Sequence, residues 1–287
     1  MTPPKAKLRA AIEAAVGSTV ARMDAVRGGD FATAYRVDVA DGRRLFAKTH
    51  ASPPPGFFTT EATGLEWLRA AEAVPVPRVI AVDDEPPALL LLEWIDIGGP
   101  TARTEAEFGR ALAALHDAGA PSFGREDRRT TGSRALPNDP CVRWSEFYST
   151  RRLLPLARVA GESRSLATTT VAALERLAAN LERFDDGEPP SRLHGDLWAG
   201  NRIVDTSGRS WLIDPAAHGG HREFDLSMMR LFGGFGPECF AAYEEVHPLA
   251  AGWRDRVALH QIAPLVVHAI KFGGHYVVAA SSAIERY

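Results

Sequence analysis

The chain has 287 residues, 45% hydrophobic and 24% charged, the balance of an ordinary globular protein with room for one bilobed domain or two small ones. A net charge of −3 and a pI near 6.3 supply no basic face for a nucleic-acid backbone, so nucleic acid is not expected as the main partner. No signal core and no apolar window of the roughly 18 residues a membrane helix needs is present, and Cys141 and Cys239 stand far apart in no metal-binding spacing. A cytoplasmic protein is expected, with reduced thiols, no membrane contact and no zinc site.

In chain order, Leu8, Ile12 and Val16 recur at helical spacing before Gly17, predicting a first helix over 5–16. Val20 to Val26 alternates as a strand, Gly28-Gly29-Asp30 interrupts, and Ala34 to Val39 alternates again. Asp41-Gly42 is a hairpin turn, and Leu45-Phe46-Ala47-Lys48 is the returning strand. Strand, glycine loop, strand, turn and a strand ending in Ala-Lys is the order of a kinase small lobe, in which the loop covers phosphates and the lysine holds them. Gly28 and Gly29 are the loop candidates, although the full G-x-G-x-x-G is missing and two glycines also suit a plain turn. Lys48 is the candidate lysine.

After Pro53-Pro54-Pro55-Gly56, Thr59 or Thr60 is placed to cap a helix through Glu61, Leu65 and Leu68, with Glu61 in its first turn. A glutamate on that helix is the kinase partner of the strand lysine; a first-turn acid favoured by the helix dipole is the simpler alternative. Two apolar runs, 77–82 and 88–93, complete the sheet, the leucines of the second marking an inner strand. Backbone groups of Glu93 and Ile95 would face an adenine, and Gly98-Gly99-Pro100 is the candidate boundary between lobes. The expected division is an ATP-binding lobe over 1–95 and a helical catalytic and acceptor-binding lobe over 96–287.

Thr104-Glu105-Ala106-Glu107 reads as a capping box opening a helix with Phe108, Leu112 and Leu115 on one face; His116, near its end, receives no role. Residues 119–140 lack periodicity and read as a long irregular connection. Trp144, Phe147 and Tyr148 suggest an aromatic core stripe, and Val171, Leu174, Leu177 and Leu181 a helix over about 165–184. Beyond Pro237 the chain is helical, with a break at Phe272-Gly273-Gly274.

The chemistry concentrates in His194-Gly195-Asp196-Leu197-Trp198-Ala199-Gly200-Asn201 and Trp211-Leu212-Ile213-Asp214. Magnesium-dependent phosphoryl transfer needs an acid beside the acceptor hydroxyl, an amide ligand five positions on, and a second carboxylate on the metal. Asp196, Asn201 and Asp214 match those roles. The runs 202–204 and 211–213, separated by Asp205-Thr206-Ser207-Gly208, read as a hairpin fixing Asn201 relative to Asp214. Asp225, near a helix start, is expected to brace the catalytic loop by accepting backbone hydrogen bonds.

His-Gly-Asp-Leu-Trp-Ala-Gly-Asn at 194–201, Ile-Asp-Pro-Ala at 213–216, Gly-His-Arg-Glu-Phe-Asp-Leu at 220–226 and Leu-Phe-Gly-Gly-Phe at 231–235 closely resemble the fructosamine kinase family, or ketosamine-3-kinases. The segments 122–124, 144–153 and 272–276 extend the resemblance over nearly the whole chain. His-Gly-Asp alone is shared with aminoglycoside and choline kinases; the longer motifs are narrower. The resemblance implies an α+β, bilobed protein-kinase-like fold, with a small antiparallel-sheet lobe and a larger helical one. It implies ATP-dependent phosphorylation of the sugar C3 hydroxyl of ketosamines, on small amines or glycated protein lysines, giving an unstable product that sheds the sugar.

Carried over by position, Asp196 resembles the catalytic base, Asn201 and Asp214 the Mg2+ ligands, Lys48 the phosphate lysine and Glu61 its partner. Residues 28–33 lack the cysteine that some relatives use for redox-linked dimerisation, so a monomer without that regulation is expected. Residues 125–140 also depart from the pattern of relatives, which leaves the acceptor open. The rivals are a kinase of another hydroxylated amine, such as an aminoglycoside or amino sugar, and a nucleotide-binding protein of kinase fold without turnover.

Overall fold

The computed structural model describes residues 5–26, 32–126 and 136–287. Five strands, β1 (Val20–Val26), β2 (Thr33–Val39), β3 (Arg44–His50), β4 (Val79–Asp83) and β5 (Ala88–Glu93), form an antiparallel sheet in the order β1-β2-β3-β5-β4. The uninterrupted leucines of β5 follow from its inner position. Leu89 and Leu91 face Leu8 and Ile12 of helix α1 (Lys5–Val16), while Leu90 and Leu92 face Phe58, Leu65 and Leu68 of helix α2 (Phe57–Arg69). A strand with an apolar layer on each side has no polar face to display.

Two helix starts differ from the sequence expectation. The N-cap of α2 is Gly56, not Thr59 or Thr60, and its first N–H groups are taken by a distant acid: Phe58 N and Thr59 N donate to the Asp84 carboxylate at 2.7 and 3.2 Å. This earlier start moves Glu61 from the first turn into the second, so dipole stabilisation at the helix end does not account for it. Helix α3 (Ala102–Asp117) is likewise capped by Thr101, whose side chain accepts from Thr104 N. Glu107, the acid of a box at Thr104, consequently does not return to that residue and instead accepts from Arg103 Nε at 2.7 Å, while Glu105 turns inward. It lies buried in a pair with Arg202 and accepts from Gly236 N at 2.8 Å.

Gly98 N donates to Val204 O at 2.7 Å and Thr206 N to Asp96 O at 3.1 Å, so the crossing at 96–98 is stitched to the later hairpin β7 (Arg202–Val204) and β8 (Ser210–Leu212). The apolar core under α2 is continuous with Phe108 and Leu112 of α3 and with Leu197 and Leu212.

The rest is helical. Helix α4 (Trp144–Phe147) runs through a stretch of π-helix into α5 (Leu154–Glu162), which the sequence reading did not separate. The helix expected over 165–184 divides into α6 (Thr168–Ala179) and a 3-10 turn at Leu181–Phe184; at the break the Asn180 side chain bonds back to Arg176 O. Trp144, Phe147 and Tyr148 are all buried in the core of this region. A two-stranded ladder of β6 (Ser191–Leu193) with β9 (His218–Gly220) was also not foreseen. Helices α7 (Glu223–Phe232), α8 (Pro237–Val246), α9 (Trp253–Phe272) and α10 (His275–Ile284) close the chain, the last two separated at Gly273-Gly274 as expected. Among the described residues no helix is long and apolar enough to cross a membrane.

The Arg202 guanidinium also lies 5.0 Å from the Phe108 ring and 4.7 Å from the Phe235 ring. Glu105→Ala would leave this buried cation without its carboxylate, so a loss of about 3 kcal/mol is expected in urea unfolding. A change below roughly 1 kcal/mol would show that the aromatic rings alone hold the cation.

Candidate active site

Three separate elements bring charged side chains together. Lys48 projects from β3, Glu61 from the second turn of α2, and Asp214 follows β8. Lys48 Nζ donates to Glu61 Oε1 at 2.8 Å and makes a close ion pair with Asp214 Oδ1. Lys48 and Glu61 are buried, and the Asp214 side chain is 29% exposed. Burial alone would lower the Lys48 pKa, but the two carboxylates more than offset it and hold the ammonium above the ordinary lysine value. Glu61 is shifted upward, by burial outweighing Lys48 and by repulsion from Asp214. For Asp214, Lys48 outweighs burial and keeps the carboxyl below its usual value.

Asp214 has φ 53°, in the left-handed region that a non-glycine residue adopts at some strain. The hairpin before it sets its place: Ile213 N donates to Asn201 O at 3.0 Å, tying the two expected metal ligands through the backbone. Asn201 Nδ2 donates to Asp196 O at 2.8 Å and to Asp196 Oδ2 at 3.1 Å. Both contacts use the amide NH2, so the amide oxygen keeps its lone pairs as a hard donor.

The loop carrying Asp196 is braced from below. Asp225, fully buried on α7, accepts from His194 N at 2.7 Å and Gly195 N at 2.9 Å, the bracing expected of it. His116 Nε2 lies 3.4 Å from the same carboxylate, and its Nδ1 is 2.8 Å from Tyr243 Oη; His116 therefore belongs to the bracing, a part the sequence gave no reason to assign. His194 Nδ1 accepts from Asp196 N at 3.2 Å, so its Nε2 carries the proton and donates to Ile213 O at 2.8 Å. Burial lowers the His194 pKa and favours this neutral bridge between the Asp196 loop and the strand before Asp214. Gly195 is required: φ is 80°, and a Cβ would stand 2.1 Å from Ala216 O. Burial, opposed by the Asn201 hydrogen bond and reinforced by Asp214 and Asp225, pushes the Asp196 carboxyl up to about 7.

Glu93 N donates to Arg78 O at 3.1 Å, so a contribution from Glu93 to a bound ligand would come from its carbonyl. Ile95 lies just beyond β5. Gly28 and Gly29 lie outside the described residues.

Among the described residues one other group has donors spaced for a metal: His221, Glu223 and His260, all buried, with atoms within 4.8 Å of one another. Two of the three are already committed, while His260, its Nε2 3.4 Å from Glu223 Oε2, has no hydrogen bond on either ring nitrogen among the described residues. Arg256 holds both Glu223 oxygens, and His221 accepts from Glu223 N at 3.3 Å while donating from Nε2 to Asp186 at 3.1 Å, which leaves that ring no lone pair.

Residues 5–287 match the family model described as fructosamine kinase. The chain is 35% identical over 267 residues to a protein of Enterococcus faecium named probable ketoamine kinase, covering 91% of this chain and 94% of that one. It is 33% identical over 277 residues to the chloroplastic protein-ribulosamine 3-kinase of Arabidopsis thaliana, covering 93% and 83%. A solved structure from Thermobifida fusca, provisionally described as fructosamine-3-kinase, superposes with a TM-score of 0.90 at 39% identity, covering 97% of each chain. A gentamicin complex of an aminoglycoside phosphotransferase superposes at 0.65 with 13% identity, covering 100% of this chain and 98% of that one, and shows the fold alone. The fold is that of the protein-kinase-like phosphotransferases.

The raised Asp196 value has a stability consequence. Between its ordinary 3.8 and about 7 the native state binds this proton more tightly than the unfolded chain, so the group's contribution to stability falls as pH rises through that window. Asp196→Asn is therefore expected to unfold at a higher temperature than the parent at pH 8, the difference closing toward pH 4. Equal midpoints at pH 8 would mean the carboxylate is not strained by its surroundings.

Proposed function

The chain belongs to the fructosamine kinase family, and from that premise we propose that it is an ATP- and magnesium-dependent ketosamine kinase phosphorylating the sugar 3-hydroxyl, the step that leads to deglycation. It is a phosphotransferase with an alcohol group as acceptor. The observation that carries the finer reading is the joining of Lys48, Glu61 and Asp214 in one ion-paired group, linked through Asn201 to Asp196.

Phosphoryl transfer leaves little covalent work to the protein, so positioning and electrostatics do most of it. Lys48, oriented by Glu61, meets the charge of the nucleotide phosphates. Asp214 and the amide oxygen of Asn201 are hard oxygen donors of the kind magnesium takes, and would hold it. Bound magnesium would neutralise charge on the phosphate oxygens. Asp196, with a pKa of about 7, is matched to orient an acceptor hydroxyl and accept its proton near neutral pH. The Glu93 carbonyl and the Ile95 backbone are assigned to the adenine, and the Gly28-Gly29 loop to the phosphates on sequence alone. The reading divides the chain at 95/96 into a nucleotide lobe and an acceptor lobe, and takes small ketosamines or glycated protein lysines as acceptors for a cytoplasmic monomer.

The direct test supplies ATP, magnesium and a fructosyl- or ribulosyl-amine, beside an aminoglycoside and a blank without acceptor, and follows the product by phosphorus NMR. A 3-phosphorylated ketosamine is expected; turnover of the aminoglycoside alone would move the acceptor assignment. Asp196→Ala should lower kcat by about 10²- to 10⁴-fold with nucleotide binding retained, and an active variant would remove Asp196 from the mechanism. Asp214→Ala should weaken magnesium-dependent nucleotide binding, and an unaltered metal dependence would count against that ligand.

A further inference from the structure

The helix carrying Glu61 is held to the chemical loops by two arginines. Trp67, six residues beyond Glu61 on α2, has the Arg125 guanidinium 5.3 Å and the Arg192 guanidinium 4.7 Å from its ring. Arg192 sits on β6, which leads into the Asp196 loop, and its Nη1 donates to Trp67 O at 2.8 Å, a carbonyl of the last turn of α2. Arg125 reaches two ways. Its Nη1 donates to Ala217 O at 3.2 Å, three residues beyond Asp214, and its Nη2 donates to Thr63 Oγ1 at 3.4 Å, two residues beyond Glu61.

Helix and loop touch closely at this point. A Cβ on Gly64 would meet Pro215 Cγ at 3.3 Å, Ala217 Cβ at 3.5 Å and Arg125 Nη1 at 3.6 Å, so the helix backbone at Gly64 lies within one methyl group's reach of the Asp214 loop and of Arg125. Arg125 is itself anchored: Gly124 and Gly219 exchange hydrogen bonds of 2.7 and 3.0 Å, and Arg125 N donates to Asn138 O at 2.7 Å.

We propose that Arg125 is a positioning residue of the phosphotransfer site, clamping α2 to residues 215–217 so that Glu61 and Asp214 stand at the separation Lys48 spans. Glu61 and Asp214 are both acids and repel each other, and each reaches Lys48 from a different element. A small outward movement of α2 would open the 2.8 Å contact between Glu61 and Lys48. A guanidinium suits the place because its planar fork bonds two acceptors while stacking on an indole, which an ammonium does not do. The proposal rests on the reading that Lys48, Glu61 and Asp214 serve the nucleotide.

The test uses the full chain and titrates a fluorescent ATP analogue with magnesium present, so it does not depend on the acceptor. Arg125→Met is expected to weaken nucleotide binding about tenfold, Arg125→Lys about threefold, and Glu61→Gln about tenfold. Because Arg125 acts through Glu61, Arg125→Met in the Glu61→Gln background should add less than about twofold. Full additivity of the two losses, or parental affinity in Arg125→Met, overturns the clamp. Should Arg125→Met fail to fold, Trp67→Leu removes the ring and leaves both hydrogen bonds of Arg125; it is expected to weaken binding about threefold, again only with Glu61 intact. Parental affinity in Glu61→Gln itself would instead overturn the nucleotide reading on which the clamp rests, so the two failures are distinguished.

Discussion

A lysine ammonium held out of water by two carboxylates from different elements is the interaction on which the rest of the structure depends. Desolvating one cation and two anions is unfavourable unless the partners meet closely, and here β3, α2 and the loop after β8 must all be in place for that to happen. The group has one positive charge against two negative ones, with Asp196 close by. Burial, with this surplus of negative charge added to it, raises the pKa values of Asp196 and Glu61, and a bound cation would relieve the repulsion. In the proposed function that cation would be the metal of a nucleotide complex.

The framework beneath is polar and buried, and its members are fixed by tautomer and charge rather than by apolar fit. Asp225 stops two backbone N–H groups of the Asp196 loop from being orphaned. Neutral His194 joins that loop to the strand before Asp214, accepting on one nitrogen and donating from the other. Glu105 and Arg202 do the corresponding work one residue beyond Asn201, joining α3 to the hairpin and to Gly236. Together these contacts hold the loops around Asp196 and Asn201 in one geometry instead of several.

Helix α2 is the part whose place is least determined by its own sequence. Its N-terminus is capped by Asp84, its inner face packs on β5, and its last turn is met by Arg125 and Arg192. The helix therefore reports, through Glu61, whether the sheet and the helical region are correctly seated on each other.

The sequence by itself determined what short-range physics encodes. Strand alternation, the Asp41-Gly42 turn and the hairpin after Asn201 were legible because their partners lie within a few residues, and the motif from His194 to Asp214, whose partners Asp225 and Lys48 are distant, was legible as residue types at a spacing that pointed to the family. Only the tertiary structure decided the rest. The start of α2 depended on a carboxylate 26 residues away, and that of α3 on a threonine one turn earlier whose local signal was overshadowed by Glu107, an acid paired with Arg103. The roles of His116 and Arg125, and the pairing of β6 with β9, rest on contacts across 25 to 127 residues of chain. A histidine or an arginine in a sequence carries no mark of which distant acid, ring or carbonyl will complete it; that is settled only when packing removes water from both partners at once.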